Sequence, residues 1–192
     1  MGWQEGVTSV SDVVVLLSGG LDSTACLYFY REQRRSVSAL FVDFGQPARE
    51  RERWAAEAIS LHTETPLVTA RIDGIPEIAG RETPGRNTLL VSTALMVVPP
   101  ETRSVALGIH AGTPYPDCTP DFVQRMNALL DLATDGRVVL AAPFVHWSKV
   151  DIWDFLESHS APTELTWSCE YGRETPCGTC PTCLDLDAMN DR

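Results

Sequence analysis

Two groups of residues in this chain have types and spacings that can do chemistry. The first is Ser18-Gly19-Gly20-Leu21-Asp22-Ser23-Thr24, which ends the apolar run at 13–17 and opens a new apolar-periodic segment. A strand, a glycine-rich turn and a helix in succession gather backbone N–H groups and a positive helix end at one point. That is an anion cradle. Two glycines are more than a simple turn requires; they make sense where something must come very close to the main chain. The commoner phosphate loops do not fit, because no lysine follows the glycines and there is no G-x-G-x-x-G. The plain alternative is a tight turn in which Asp22 or Ser23 merely caps the helix.

The second group is Cys169, Cys177, Cys180 and Cys183, four of the six cysteines, in "SCEYGRETPCGTCPTC". Two overlapping C-x-x-C steps and one cysteine eight residues upstream supply four thiolates, enough to close a tetrahedral zinc site. Gly178, between two ligands, suits the tight backbone of a zinc knuckle. A redox pair needs only two cysteines and normally follows a strand near the chain start, and disulfides are disfavoured in the cytosol. Four thiols leave no open position, so this zinc holds the tail and does no chemistry. Cys26 reads as a small core residue, whereas Cys118 stays open, its plain reading being a loop cysteine beside a helix cap.

The elements that must position these groups alternate. Strand-like runs at 12–17, 37–42, 67–72, 104–109 and 137–140 are interleaved with helix-like runs at about 22–34, 48–61, 88–98, 120–134 and 148–158. Asn87 stands where an N-cap belongs, and Thr119 caps the fourth helix with Pro120 at its first position. The expected fold is α/β: a five-stranded parallel sheet with helices on both faces, plus a small cysteine-rich tail. Residues 1–162 would form the main domain and 163–192 a zinc-binding segment packed on it. At 192 residues, with 44% hydrophobic and 21% charged residues, the chain can bury a real core. The formal charge of −11 opposes direct nucleic-acid binding; the arginines at 31, 34, 35, 49, 51 and 53 could form a local basic patch, though the plainer reading is that most of them decorate solvated helix faces. No leader is expected in "MGWQEGVTSVSD", and the longest uncharged apolar segment, 89–98, is far short of the ~20 residues of a membrane span. A cytoplasmic protein is the expectation.

The stretch at 18–24 resembles the PP-loop of the ATP pyrophosphatases, which bind departing pyrophosphate through backbone amides and serine hydroxyls. Over residues 12 to about 189 the chain resembles the 7-cyano-7-deazaguanine synthase family (QueC). The motifs that carry the resemblance stand in order: "SGGLDST" at 18–24, "FVDFGQ" at 41–46, "PGRNTLLVSTAL" at 84–95, "LGIHAGTPYPDCTPDF" at 107–122, "PFVHWSKVDI" at 143–152 and "LTWSCEYGRETPCGTCPTC" at 165–183. The resemblance implies the adenine nucleotide alpha-hydrolase-like fold and a ligase that spends ATP, with Mg²⁺, to adenylate 7-carboxy-7-deazaguanine. Ammonia would then give the amide, and a second adenylation the nitrile.

On this resemblance Ser18, Gly19, Gly20, Leu21, Asp22, Ser23 and Thr24 hold pyrophosphate, with Asp22 orienting Mg²⁺. Asp43 and Gln46 meet the adenosine side. Arg86 and Asn87 contact phosphate or the substrate carboxylate, Asn87 having its cap reading as rival. Lys149 is either a phosphate contact or an exposed helical lysine. Tyr115, Asp117 and Cys118 form part of the deazaguanine pocket, Asp117 accepting from the guanine-like edge; Trp167 and Ser168 line it. His110 and His146 are polar candidates. The resemblance also implies a homodimer.

The chain departs from the family at Gln46-Pro47-Ala48, where a basic pair is usual, in a shortened segment before Gly85, and at Leu184-Asp185-Leu186-Asp187, where an arginine is common. These departures keep two other readings in view. One is an antiviral-defence relative that passes the deazaguanine acid to another amine, on a protein acceptor. The other is a nucleotide-binding module without turnover. A tRNA-sulfurating enzyme fits poorly, since a catalytic cysteine pair or RNA-binding extension is not evident.

Overall fold

A computed structural model describes residues 11–75, 83–110 and 112–190. Residues 1–10 of the segment read above for a leader, Ala111 of the fourth motif and part of the shortened segment before Gly85 lie outside them. The chain alternates β1 (Val13–Leu16), α1 (Leu21–Glu32), β2 (Val37–Asp43), α2 (Arg49–His62), β3 (Leu67–Arg71), α3 (Arg86–Val97), β4 (Ser104–Ala106), α4 (Pro120–Thr134), β5 (Val139–Ala141) and α5 (Lys149–Ser158). A tail with a last helix, α6 (Pro181–Asn190), follows.

The five strands pair in parallel in the order β3-β2-β1-β4-β5. β1 lies at the centre, Val13 facing Val37 on one side and Ser104 on the other. All four residues of β1 are buried, as a strand covered on both faces must be. Side chains alternate between two cores. Val13 and Val15 pack with Ala25 and Leu27 of α1, Ile59 of α2, and Ile152 and Leu156 of α5. Val14 and Leu16 pack with Val91 and Ala94 of α3 and Met126 and Leu130 of α4. This is the expected fold with helices on both faces, and Cys26 is buried in the first core, where burial pushes its thiol far up.

Two caps differ in outcome. Thr119 caps α4 as expected, its Oγ1 accepting from Phe122 N–H, with Pro120 at the first position. Asn87 does not cap α3. Gly85, at φ +77°, holds that position, and Asn87 lies inside the helix, buried. Its Nδ2 donates to Asp117 O at 2.9 Å, while its backbone N–H donates to Asp117 Oδ2 at 3.1 Å. A side chain thirty residues later in sequence serves the helix start, which propensity along the chain cannot reveal. Strand β4 ends at Ala106, shorter than the apolar run to 109, because Leu107 to His110 turn away to line the ligand edge.

Candidate active site

In an open parallel sheet, ligands bind beyond the carboxyl ends of the strands, where the strand order reverses. Here the chain runs from β1 through β2 to β3 on one side, and β4 returns on the other. A cavity of about 510 Å³ occupies that point, its walls drawn from the ends of β1, β2 and β4, the start of α3, and the tail.

The glycine turn forms its floor. Gly19 takes φ +79°, and a Cβ there would stand 2.6 Å from Ala55 Cβ and 2.7 Å from Ala56 N. The closeness that Gly19 permits is therefore to α2. Gly20 is different: a Cβ there would meet only ordinary contacts, the nearest 3.5 Å away, and the residue lines the cavity. Gly20 is thus the glycine left open towards a ligand. It is also the N-cap of α1, with no side chain capping it, so neither Asp22 nor Ser23 plays that part. Ser23 Oγ and Thr24 Oγ1 donate to Gly20 O at 3.0 and 2.9 Å, and Ser18 Oγ lies 3.2 Å from Ser23 Oγ. Thr24 is fully buried beneath the turn; Ser18, Gly20, Leu21, Asp22 and Ser23 reach the cavity.

Asp22 is the charge centre of the floor. Lys149 Nζ, at the start of α5, donates to Asp22 Oδ1 at 2.5 Å, and His110 Nε2 lies 3.8 Å from Oδ2. Lys149 is not an exposed helical lysine, since only 16% of its side chain is accessible. The pair joins residues 127 apart in sequence. His110 is buried, Nδ1 accepting from Gly112 N–H at 3.1 Å, and burial holds its imidazole below the usual range. His146 is exposed and does not line the cavity.

The other candidates divide. Arg86, Asn87, Gln46, Tyr115, Cys118, Trp167 and Ser168 line the cavity. Asp43 and Asp117 do not. Asp43 Oδ1 accepts from Gly45 N–H at 3.0 Å and so shapes the loop after β2. Asp117 is turned to Asn87, so its carboxylate serves the helix and does not face the pocket. Gln46 is fully engaged: Oε1 accepts from Phe44 N–H, and Nε2 donates to Val42 O and to Glu52 Oε2. Cys118 is buried, its Sγ 3.7 Å from Asn87 Nδ2, and burial raises its thiol.

The sequence reading passed over Glu52, which lines the cavity. It stands in "RERER", a run that looks like a solvated face. Yet it lies three and four residues before Ala55 and Ala56, both buried, and so falls on the inward side of α2. That spacing was the available signal.

The tail closes the cavity from above. Trp167 N–H donates to Gly19 O at 2.9 Å, and Arg51 Nε of α2 donates to Arg173 O at 3.1 Å. The guanidinium of Arg51 lies over the rings of Trp54 and Trp167 at 5.1 and 5.4 Å. Beyond these, the sulfurs of Cys169, Cys177, Cys180 and Cys183 lie within 4.8 Å of one another, an arrangement able to hold a metal ion. Gly178 sits at φ +71°, the left-handed turn that the knuckle needs. Backbone N–H groups support the sulfurs: those of Thr179 and Cys180 point at Cys177 Sγ, and that of Cys177 at Cys169 Sγ. The donors from Thr179 and Cys180 bring the Cys177 thiol down to about 6, readying it as a thiolate.

The sheet order, the glycine turn on its central strand and the cavity over that turn define a PP-loop-type α/β protein. Among solved structures, the fold is similar to U34-tRNA thiolase NcsA from Methanococcus maripaludis with its 4Fe–4S cluster. The TM-score is 0.56 at 15% identity, over 98% of this chain and 67% of that one. That likeness concerns the fold alone. The family described as Queuosine biosynthesis protein QueC matches residues 12–83 and 77–188. Relatives named 7-cyano-7-deazaguanine synthase include one from Aquifex aeolicus, 32% identical over 91% of this chain and 94% of its own length. Another, from Synechococcus sp. (strain CC9605), is 37% identical over 91% of this chain and 90% of its own. The chain belongs to the QueC family and is an enzyme.

Proposed function

We propose that this enzyme uses ATP to convert 7-carboxy-7-deazaguanine and ammonia into 7-cyano-7-deazaguanine. The observation that carries the reading is the cavity itself. One continuous space of about 510 Å³ joins the open Gly20 floor, the Asp22–Lys149 pair and the wall of Arg86, Tyr115 and Trp167. A space of that size and mixed lining supports the reading that a nucleotide and a small bicyclic acid share it.

A carboxylate is a poor electrophile because oxide would have to leave. Attack of its oxygen on the α-phosphorus of ATP forms the acyl adenylate and expels pyrophosphate. Ammonia then adds at the acyl carbon and AMP departs, leaving the amide. The amide oxygen attacks a second ATP, and loss of AMP and a proton from the adenylated amide yields the nitrile. The Gly20 and Leu21 backbone at the head of α1, with the hydroxyls of Ser18 and Ser23, faces the expelled pyrophosphate. Lys149 supplies cationic charge to the same oxygens and fixes the Asp22 carboxylate. Arg86, with no partner for its guanidinium among the described residues, is free to take the substrate carboxylate or α-phosphate as a two-pronged donor. Mg²⁺ fits beside Asp22, the floor carboxylate, and supplies neutralisation of phosphate charge when bound.

Zinc fits the tail. Four thiolates around one ion with Zn–S near 2.3 Å stand about 3.8 Å apart. Cys177 Sγ and Cys183 Sγ are 3.9 Å apart. A four-iron cluster, with each thiolate on a different iron, holds its sulfurs farther apart. Zinc here would fix the tail over the glycine turn.

The test is to incubate the zinc-loaded full chain with ATP, Mg²⁺, 7-carboxy-7-deazaguanine and ammonia, and to follow products by mass. The expected result is nitrile with AMP and pyrophosphate. No AMP with this acid overturns the reading; a product that stops at the amide, or forms only with a protein amine, removes its nitrile step.

A further inference from the structure

The carboxylates around the cavity are not equivalent. Asp22 is neutralised by Lys149, and Glu170 and Asp185 lie exposed on the tail. Asp117, the carboxylate expected to read the base, is spent on α3. Glu52 stands apart. It is half-buried in the cavity wall, and no cation forms an ion pair with it among the described residues. Its Oε2 accepts from Gln46 Nε2 at 2.7 Å, and Gln46 is fixed by Phe44 N–H at 3.0 Å and Val42 O at 3.2 Å. The carboxylate is thus aimed, not merely tolerated. Burial pushes its carboxyl up, with the Gln46 hydrogen bond and the field of Arg86 opposing. Withdrawing a carboxylate from water without an ion partner costs stability, and packing alone would favour an apolar residue there. A ligand that brings N–H donors repairs the deficit.

The chemistry of the carboxylate selects the ligand. It only accepts, so its complement is a pair of adjacent N–H groups. The deazaguanine acid carries such a pair in its ring N1–H and 2-amino group. Adenine offers an amino donor beside a ring-nitrogen acceptor, whose lone pair a carboxylate repels. Position agrees. The main chain of Glu52 packs on Gly19, and Trp167 bonds to the same Gly19. Both residues line the one cavity, so a base laid against Trp167, whose ring Arg51 steadies, would lie beside the wall that Glu52 occupies.

We propose that Glu52 reads the N1–H and 2-amino edge of the substrate base, with Gln46 as its positioning residue. The assignment rests on the substrate reading above. Its test is binding of two acids to the zinc-loaded chain by calorimetry: 7-carboxy-7-deazaguanine and its 2-deamino counterpart, 7-carboxy-7-deazahypoxanthine. Wild type should prefer the first by at least about tenfold. Glu52→Gln, which puts a donor where an acceptor stood, should lose about 100-fold in affinity for the first acid and most of the preference, with ATP affinity within about twofold. Glu52→Asp, which keeps the charge, should retain a reduced preference and serves if the Gln variant fails to fold. Loss of ATP affinity with unchanged acid affinity, or equal treatment of the two acids by wild type, overturns the assignment. AMP release is read separately: wild type that binds both acids with the expected preference but releases no AMP contradicts the reaction and leaves Glu52 as the reader of the base.

Discussion

The glycine turn and the cysteine tail meet where Trp167 N–H donates to Gly19 O, yet they are held in opposite ways. The turn at 18–24 sits on the fully buried central strand, and Gly19 is clamped against α2. Its shape is fixed by close packing before any ligand arrives. The tail has little core of its own: Cys169, Cys180 and Cys183 are buried chiefly against one another, with Trp167, Tyr171 and Cys177 around them. Met189 of α6 is buried in the first sheet core, with Leu186 and Leu165 packed against that core, while on the proposed metal reading the shape around the thiols would depend on what they bind. The difference teaches that the floor of the cavity is preorganised by the sheet, whereas its roof, on the proposal that the four thiols hold a metal ion, would wait on that ion.

Gly19→Ala attacks the packed half most directly. It forces both a left-handed backbone and a Cβ 2.6 Å from Ala55 Cβ, so a loss of about 4 kcal/mol is expected in urea denaturation. A variant as stable as wild type would mean that α2 does not clamp the turn. Next comes Lys149→Ala, which leaves the fold intact but strips the floor of its cation. The rate of AMP formation should fall about 10²–10³-fold, with the melting temperature nearly unchanged. Cys180→Ser attacks the conditional half. Limited proteolysis should cut the tail first while far-UV circular dichroism of the sheet domain persists, and AMP formation should drop about 10²-fold as the roof shifts. Unchanged activity in this variant would uncouple roof from floor.

Asp117→Ala separates capping from catalysis. With its carboxylate on Asn87 N–H, the cost should be about 1 kcal/mol of stability, and KM for the acid should stay within about twofold. A large KM effect would return Asp117 to the pocket. The smallest effect concerns pH. His110 is held below its ordinary range by burial, so the unfolded chain takes up this proton first as pH falls through about 6.5. Stability therefore declines from that point down to the folded-state value, and His110→Asn should flatten this part of the stability profile relative to wild type.

The alternation of strand and helix was legible because local periodicity and full burial write the same pattern, as in 13–16 and 37–43. The cysteine tail was legible because its ligands are near neighbours in sequence. What escaped was pairing over distance. Asn87 stood between cap and ligand contact until Asp117 supplied the acceptor, and Lys149 between phosphate contact and exposed lysine until the sheet brought it to Asp22. Glu52 was hidden by the charges on either side of it, on a helix whose inner edge it shares with Ala55 and Ala56.

The bond from Trp167 N–H to Gly19 O has a consequence for how a working molecule comes into being. Trp167 follows Gly19 by most of the chain's length, so the glycine turn is synthesised well before the residue that covers it. A chain that has completed its sheet still lacks the cover over the cavity until the tail has docked on Gly19. On the proposal that the four thiols hold zinc, cellular zinc supply would set when the cavity gains its roof, with the ion itself outside the chemistry.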